Sequence, residues 1–264
     1  MRKIALTLAL LLPLAAAAQT EVGGGVRASV AVDYKIAKGF HVNVEEEIRV
    51  GGALQSLDRL QTTVSVDYKP FKYLKLGVGY SLINPYSYEQ HSFKPLRHRA
   101  FAEIGSHFAA GDFSFSIRER AQFTHRTGTF NVYQNTPDAF ALKSRVGVEY
   151  KGWRSVEPGL FFEMRTQLNA PWGQTNGSIQ VKDDGTTYYN YTPMGYTHVY
   201  NDRYRFILRT DIKLGRHHVL QPYALIDFCS PYVLDTNAEG TRLFSAAYVD
   251  RLNLSLGINY TVKF

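Results

Sequence analysis

The dominant period along the chain is two. Residues 26–36 place Val26, Ala28, Val30, Val32, Tyr34 and Ile36 on one face and Arg27, Ser29, Asp33 and Lys35 on the other, with Ala31 the exception. Alternation of this kind predicts a strand with one apolar and one polar side. Residues 60–68 repeat it: Leu60, Thr62, Val64, Val66 and Tyr68 oppose Gln61, Thr63, Ser65 and Asp67. Eleven such segments are predicted, near 26–36, 40–50, 57–69, 73–82, 97–108, 112–125, 142–150, 155–167, 203–214, 218–229 and 248–264. Each is a weak signal, and the recurrence carries the weight.

The connections alternate in length. Five are short: Ala37-Lys38-Gly39, Pro70-Phe71-Lys72, Ala109-Ala110-Gly111, Lys151-Gly152-Trp153-Arg154 and Gly215-Arg216-His217. Between them lie longer stretches near 51–56, 83–96, 126–141, 168–202 and 230–247, rich in Asn, Gly, Pro, Thr and Tyr as loops require. A membrane β-barrel has short periplasmic turns at one rim and long extracellular loops at the other. The predicted fold is therefore all-β, a closed antiparallel transmembrane β-barrel of about 10–12 strands. Bacterial barrels normally have an even number of strands. Twelve are expected if Thr20 to Gly25 adds a short strand or a segment threaded through the lumen, and ten if the first segment lies outside the wall. The loop 168–202 carries Trp172, Tyr188, Tyr189, Tyr191, Tyr196 and Tyr200. It is expected to hold a hairpin above the rim or to fold inward as a partial plug.

The two ends of the chain agree with this fold. Arg2 and Lys3, an apolar run from Ile4 to Leu14, and Ala16-Ala17-Ala18 read as a cleaved signal peptide, residues 1–18. That run is too short for a spanning helix, which needs about 20 apolar residues. Residues 19–264 then form a single barrel domain. The last strand puts Leu252, Leu254, Leu256, Ile258, Tyr260, Val262 and Phe264 on one face. Its aromatic terminus resembles the C-terminal signature of outer-membrane barrels, which implies an assembly signal in Tyr260, Val262 and Phe264 read by the barrel-assembly machinery. The expected location is the outer membrane of a Gram-negative bacterium, with its lipids as surroundings.

The apolar face suits hydrocarbon: Leu74, Leu76, Val78 and Tyr80 form one band, Phe113, Phe115 and Ile117 another, Tyr204, Phe206, Leu208 and Ile212 a third. Glu46 and Glu119 break this phase, and a bulge, a rim position or a shifted register is expected at each. The other face is charged. By phase, Arg59, Arg97, Arg99, Arg118, Arg120, Arg145, Arg165, Arg203, Arg205, Arg209 and Arg251 point inward. With them point Glu45, Glu47, Asp67, Glu103, Glu149, Glu157, Glu163 and Asp211. Enclosed charges of opposite sign should pair, since an unpaired one is costly, and the arginine fork suits the role. A dense network would brace the wall and close the lumen; a looser one would line a narrow water-filled path. The bracing outcome is taken first.

The formal net charge of +7 changes little. The cations are dispersed among acids rather than clustered, so nucleic acid is not an expected partner. The single cysteine, Cys229, cannot form an internal disulfide and reads as a packed thiol. A Ser–His hydrolase needs a serine within reach of its base and an orienting third group. His91-Ser92 has no visible partner, and His98, His107, His125 and His217-His218 add none. Asp183-Asp184-Gly185 reads as a turn before it reads as a calcium loop, and Gly23-Gly24-Gly25 lacks the lysine and helix of a phosphate loop. No cofactor, metal or catalytic residue is expected.

Leu57-Asp58-Arg59-Leu60, Asp67-Tyr68-Lys69, Arg97-His98-Arg99, Ser116-Ile117-Arg118-Glu119-Arg120 and the aromatic-terminated last strand together resemble a family of outer-membrane barrels common in Bacteroidota. The resemblance spans most of the mature chain and implies location and fold. It transfers no activity, because that family has none agreed. The expected function is thus a structural or narrow-pore barrel, not an enzyme. The alternatives are a rim-located lipid hydrolase or acyltransferase, and a barrel whose aromatic loops capture a ligand or partner. The solute or protein partner is left unidentified.

Overall fold

The computed structural model describes residues 21–51 and 56–264, and every regular element among them is a strand. The predicted signal peptide lies outside the described residues. Eleven strands form the wall. The first five are β1 (Glu21–Ala37), β2 (Phe40–Gly51), β3 (Ser56–Phe71), β4 (Leu74–Ser87) and, after the two-residue β5 (Ser92–Phe93), β6 (Arg97–Ala110). The sheet continues through β7 (Phe113–Arg126), β8 (Asp138–Tyr150) and β9 (Val156–Ala170). β12 (His198–Lys213), β13 (His218–Cys229) and β16 (Arg251–Lys263) complete it. The remaining strands, β10 (Gly173–Val181), β11 (Thr187–Pro193), β14 (Tyr232–Thr236) and β15 (Arg242–Tyr248), make a separate four-stranded sheet.

All neighbours in the wall pair antiparallel except one. β1 runs parallel to β16, from Glu21 beside Arg251 to Asp33 beside Lys263. This seam corrects the expectation of an even strand number. Hairpin-linked strands alternate in direction, so after an odd number the last runs the same way as the first, and the ring closes only through a parallel ladder. Residues 21–25 form no extra strand and no lumenal thread; they extend β1 along β16. The eleven segments read from the sequence are the eleven wall strands.

Exposure alternates along the strands as the pattern requires. Val26, Val30, Val32 and Tyr34 face out, while Ser29 and Ala31 are buried on the inner side of the same strand. The C-terminal strand likewise leaves Leu254, Leu256 and Ile258 exposed. Glu46 and Glu119 sit in the middle of β2 and β7 with unbroken register on both sides. Neither a bulge nor a rim position accommodates them, as had been expected. Each outward carboxylate instead accepts a hydrogen bond from a hydroxyl on the next strand, Thr62 to Glu46 (2.5 Å) and Ser144 to Glu119 (2.8 Å).

One rim carries only tight connections, at 38–39, 72–73, 111–112, 151–155 and 214–217. The opposite rim carries the long ones, and these support one another. Tyr191, Leu234 and Leu243 make a buried core for the small sheet, with Tyr133, Tyr189 and Tyr232 against it. Asn131 donates to Thr236 (3.1 Å) and Tyr196 to the carbonyl of Val132 (2.9 Å), which ties the 127–137 loop to this sheet. The loop 168–202 therefore holds a hairpin, β10–β11, as one of the two expected forms. None of its residues lines the cavities inside the wall, so it is not a plug.

Candidate functional site: the charged lumen

Inward-facing glycines let large side chains lie flat against the wall. A Cβ on Gly79 would run into the ring of Phe101 on the neighbouring strand, and one on Gly147 into Phe161. Each ring then carries an arginine on its free face: Arg120 lies 4.2 Å from the Phe101 centroid and Arg209 lies 4.6 Å from that of Phe161. Cation–π attraction holds guanidinium groups in this way. The carboxylates complete the stack. Glu103 binds Arg120 (2.5 Å) and Glu149 binds Arg209 (2.9 Å). Glycine, ring, arginine and carboxylate thus form a unit that occurs twice in the lumen.

Glu163 is the hub, with only 2% of its surface exposed. It takes Arg118 (3.0 Å), Arg145 (2.8 Å), Arg205 (3.3 Å) and Lys143 (3.9 Å), drawing β7, β8, β9 and β12 together. Arg205 passes its second amine to Asp227 (2.9 Å), which also faces Arg203 at 3.5 Å. Glu103 shares Lys75 (3.3 Å) with Asp67 (2.9 Å). Nearer the short turns, Glu157 binds Lys151 (2.8 Å) and Lys213, while Arg209 also meets Asp211 (2.9 Å). At the long-loop side Glu47 binds Arg49 (2.5 Å), Asp58 binds Arg59 (2.9 Å) and Asp202 binds Arg165.

Most residues predicted to point inward are therefore drawn into pairs, and three are placed differently. Among the described residues Glu45 lines the cavity without an ion pair within 4 Å, and Arg97 and Arg99 have no carboxylate within that distance. Arg99 donates instead to the hydroxyl of Thr124 (3.0 Å). Arg251 heads the final strand and lines the outer cavity. Arg27 lies on the inner face, as its polar phase in 26–36 requires; the phase reading missed Arg49, Lys143, Asp202 and Asp227, and the apolar inward group of Phe161, Ile207 and Leu225. Tyr260, Val262 and Phe264 close the chain at the short-turn rim, where Phe264 donates its N–H to Asp33 (2.9 Å).

Two cavities lie inside the wall. The inner, about 490 Å³, receives side chains from all eleven wall strands. The outer, about 720 Å³, lies at the long-loop side between Arg27, Arg49, Arg59, Arg203 and Arg251. Arg27 and Arg49 line both.

His41 meets Asp33 (3.0 Å) on the inner face, and four other histidines are held elsewhere. Tyr80 meets His98, His125 meets Asp138 (2.7 Å) and His218 meets Tyr260 (2.8 Å), all in the outward phase of their strands. His91 packs edge-on against Tyr88. Among the described residues no histidine is hydrogen-bonded to a serine, and no group of three His, Cys, Asp or Glu side chains is arranged to hold a metal. Asp184 accepts from the Thr186 N–H (2.8 Å) in the tight turn between β10 and β11, and Cys229 is half-buried beside Asn253.

No curated protein matches the sequence. Among solved structures, the outer-membrane expressed OmpT of Vibrio cholerae is 12% identical at a TM-score of 0.36, over 85% of this chain and 60% of that one. OmpT of Vibrio cholerae folded in vitro is 13% identical at the same TM-score, over 86% of this chain and 61% of that one. The chain thus spans about three fifths of the length of these barrels. Residues 26–228, most of the wall, match the family described as Protein of unknown function (DUF2490), and the chain belongs to that family.

Proposed function

We propose that this protein is an outer-membrane barrel that acts as a narrow, water-filled pore, braced by the ion pairs of its Arg/Glu lumen. The observation that carries the reading is a pair of polar cavities inside the wall, about 720 and 490 Å³, that share Arg27 and Arg49 in their linings. A polar cavity of this size holds water, because each water needs only a few hydrogen-bond partners, and charged side chains line both. The exposed apolar belt, with Val30, Val78, Ile104, Ile117, Leu208 and Leu256 outward, supports placement in a bilayer. Bracing and conduction are compatible in this geometry. Glu163 ties four cations to the wall on one side of the lumen, leaving the cavities to water.

Planar-bilayer recording of the refolded full chain tests the reading. Small, discrete current steps are expected. A bilayer that stays at background conductance while the protein is folded and inserted would leave only the structural role. The rim-enzyme alternative is tested separately by lipid analysis after Ser92→Ala and His91→Ala, where an unchanged lipid profile is expected.

A further inference from the structure

Three arginines lie side by side across the first three strands. Arg27 is the cross-strand partner of Arg49, and Arg49 of Arg59. Like charges placed directly opposite one another destabilise a sheet, so this row has no rationale in the fold alone. Glu47 and Asp58 offset Arg49 and Arg59, while Arg27 has no carboxylate within 4 Å among the described residues. Two strands along the wall from Arg59, on β6, stands Arg99, which also lacks one; the charged groups acting most strongly on it are Arg59, Arg165, Arg49 and Arg97, all cations. Arg27, Arg49 and Arg99 line the inner cavity, and Arg27, Arg49 and Arg59 the outer. Arg27 and Arg49 thus mark a boundary shared by the two cavities, with Arg99 on its inner side and Arg59 on its outer side.

We infer that this boundary is an oxyanion-binding site, formed by Arg27, Arg49, Arg59 and Arg99, for a small dissolved solute bearing a phosphate group. A guanidinium presents paired N–H donors that match two phosphate oxygens at once, and rings of Arg or Lys select anions in pores. The low-dielectric wall focuses the field of the cluster on anything that enters. Arg97 and Arg126, direct partners across β6 and β7 at the long-loop rim, extend the same field to the mouth. Lipid headgroups do not reach these side chains, which lie on the inner face of the wall, so the source is solute. The assignment deepens the pore reading and rests on it for access from the long-loop side.

Calorimetric titration of inorganic phosphate into the detergent-folded full chain decides it without requiring current. Saturable binding is expected, about tenfold weaker in Arg99→Gln and in Arg27→Gln. Both variants are chosen because neither orphans a carboxylate, and folding is checked by heat-modifiable gel mobility. Arg99→Lys, which keeps charge but loses the fork, should bind phosphate more weakly than wild type while still preferring anions over cations. Lys38→Gln, in a short turn, should bind as wild type does. No heat of binding, or binding equal in wild type and Arg99→Gln, overturns the site. The bilayer experiment separates the two readings: current without anion preference or block by phosphate removes the site and keeps the pore, whereas phosphate binding with no current keeps the site and removes the pore.

Discussion

The two ends of the lumen use the same side chains in different proportions. Toward the short turns, cations and carboxylates alternate: Glu157 holds Lys151 and Lys213, Glu149 and Asp211 hold Arg209, and Asp67 and Glu103 share Lys75. Toward the long loops, arginine stands beside arginine. Arg27 neighbours Arg49, Arg49 neighbours Arg59, and Arg97 neighbours Arg126. The first arrangement is what a wall needs to stay closed. The second costs stability, and selection tolerates such a cost where activity uses it. Under the proposed function, the difference separates the charges that hold the barrel from those that would face a solute.

The largest expected effect lies between the two ends. Glu163→Ala leaves Arg118, Arg145, Arg205 and Lys143 without their shared partner, and breaking a buried pair from one side costs about 3–5 kcal/mol. Urea unfolding of the detergent-folded protein should shift to a distinctly lower midpoint. A midpoint within error of wild type would mean that Glu163 is no hub. Next in size is Glu157→Gln at the short-turn end. Lys151 and Lys213 are partly exposed, so water compensates for much of the loss, and about 1 kcal/mol is expected in the same assay.

Much of this division was not legible in the sequence, for identifiable reasons. The strands were, because a wall with hydrocarbon on one side and water on the other imposes period two on every segment, as in Val26 to Ile36. The strand number was read from the pattern and then lost to the rule of even parity, since nothing in a single strand says that β1 will lie parallel to β16. The inward phase placed Arg118, Arg120, Glu103 and Glu163 correctly, but which of them touch depends on register between strands far apart in sequence. Glu163 meets Arg118 across 45 residues. Phe101 and Phe161 share the inward phase of Glu103 and Glu163, but the room for their rings appears only once Gly79 and Gly147 are known to lie beside them. Asp202 was missed because β12 begins at His198, inside what the sequence presents as an aromatic loop. Asp227 sits on a strand whose nearest inward positions, Tyr223 and Leu225, pack in the small apolar group.

A sharper test reverses the usual sign of a mutation. Arg97→Gln removes one of two facing like charges at the long-loop rim, and relief of such a pair is worth about 0.5 kcal/mol. The variant should therefore unfold at slightly higher urea than wild type. Destabilisation of the kind expected for Glu157→Gln would erase the distinction between the ends.

Salt offers the smallest and most discriminating effect. The screening length falls from roughly 10 Å at 0.1 M to roughly 3 Å at 1 M, and buried pairs are screened much less than charges facing water. Added sodium chloride should leave the Glu163 cluster nearly untouched while weakening repulsion among the half-buried arginines at the open end. Wild type should then gain stability between low and high salt, and the Arg97→Gln/Arg126→Gln double variant should gain less. If wild type loses stability instead, the ion pairs at the short-turn end dominate the electrostatics of the whole lumen, and the surplus of arginine at the other end imposes no net strain. If both proteins gain equally, the repulsion lies elsewhere, with the Arg27–Arg49–Arg59 row as the next place to remove a charge.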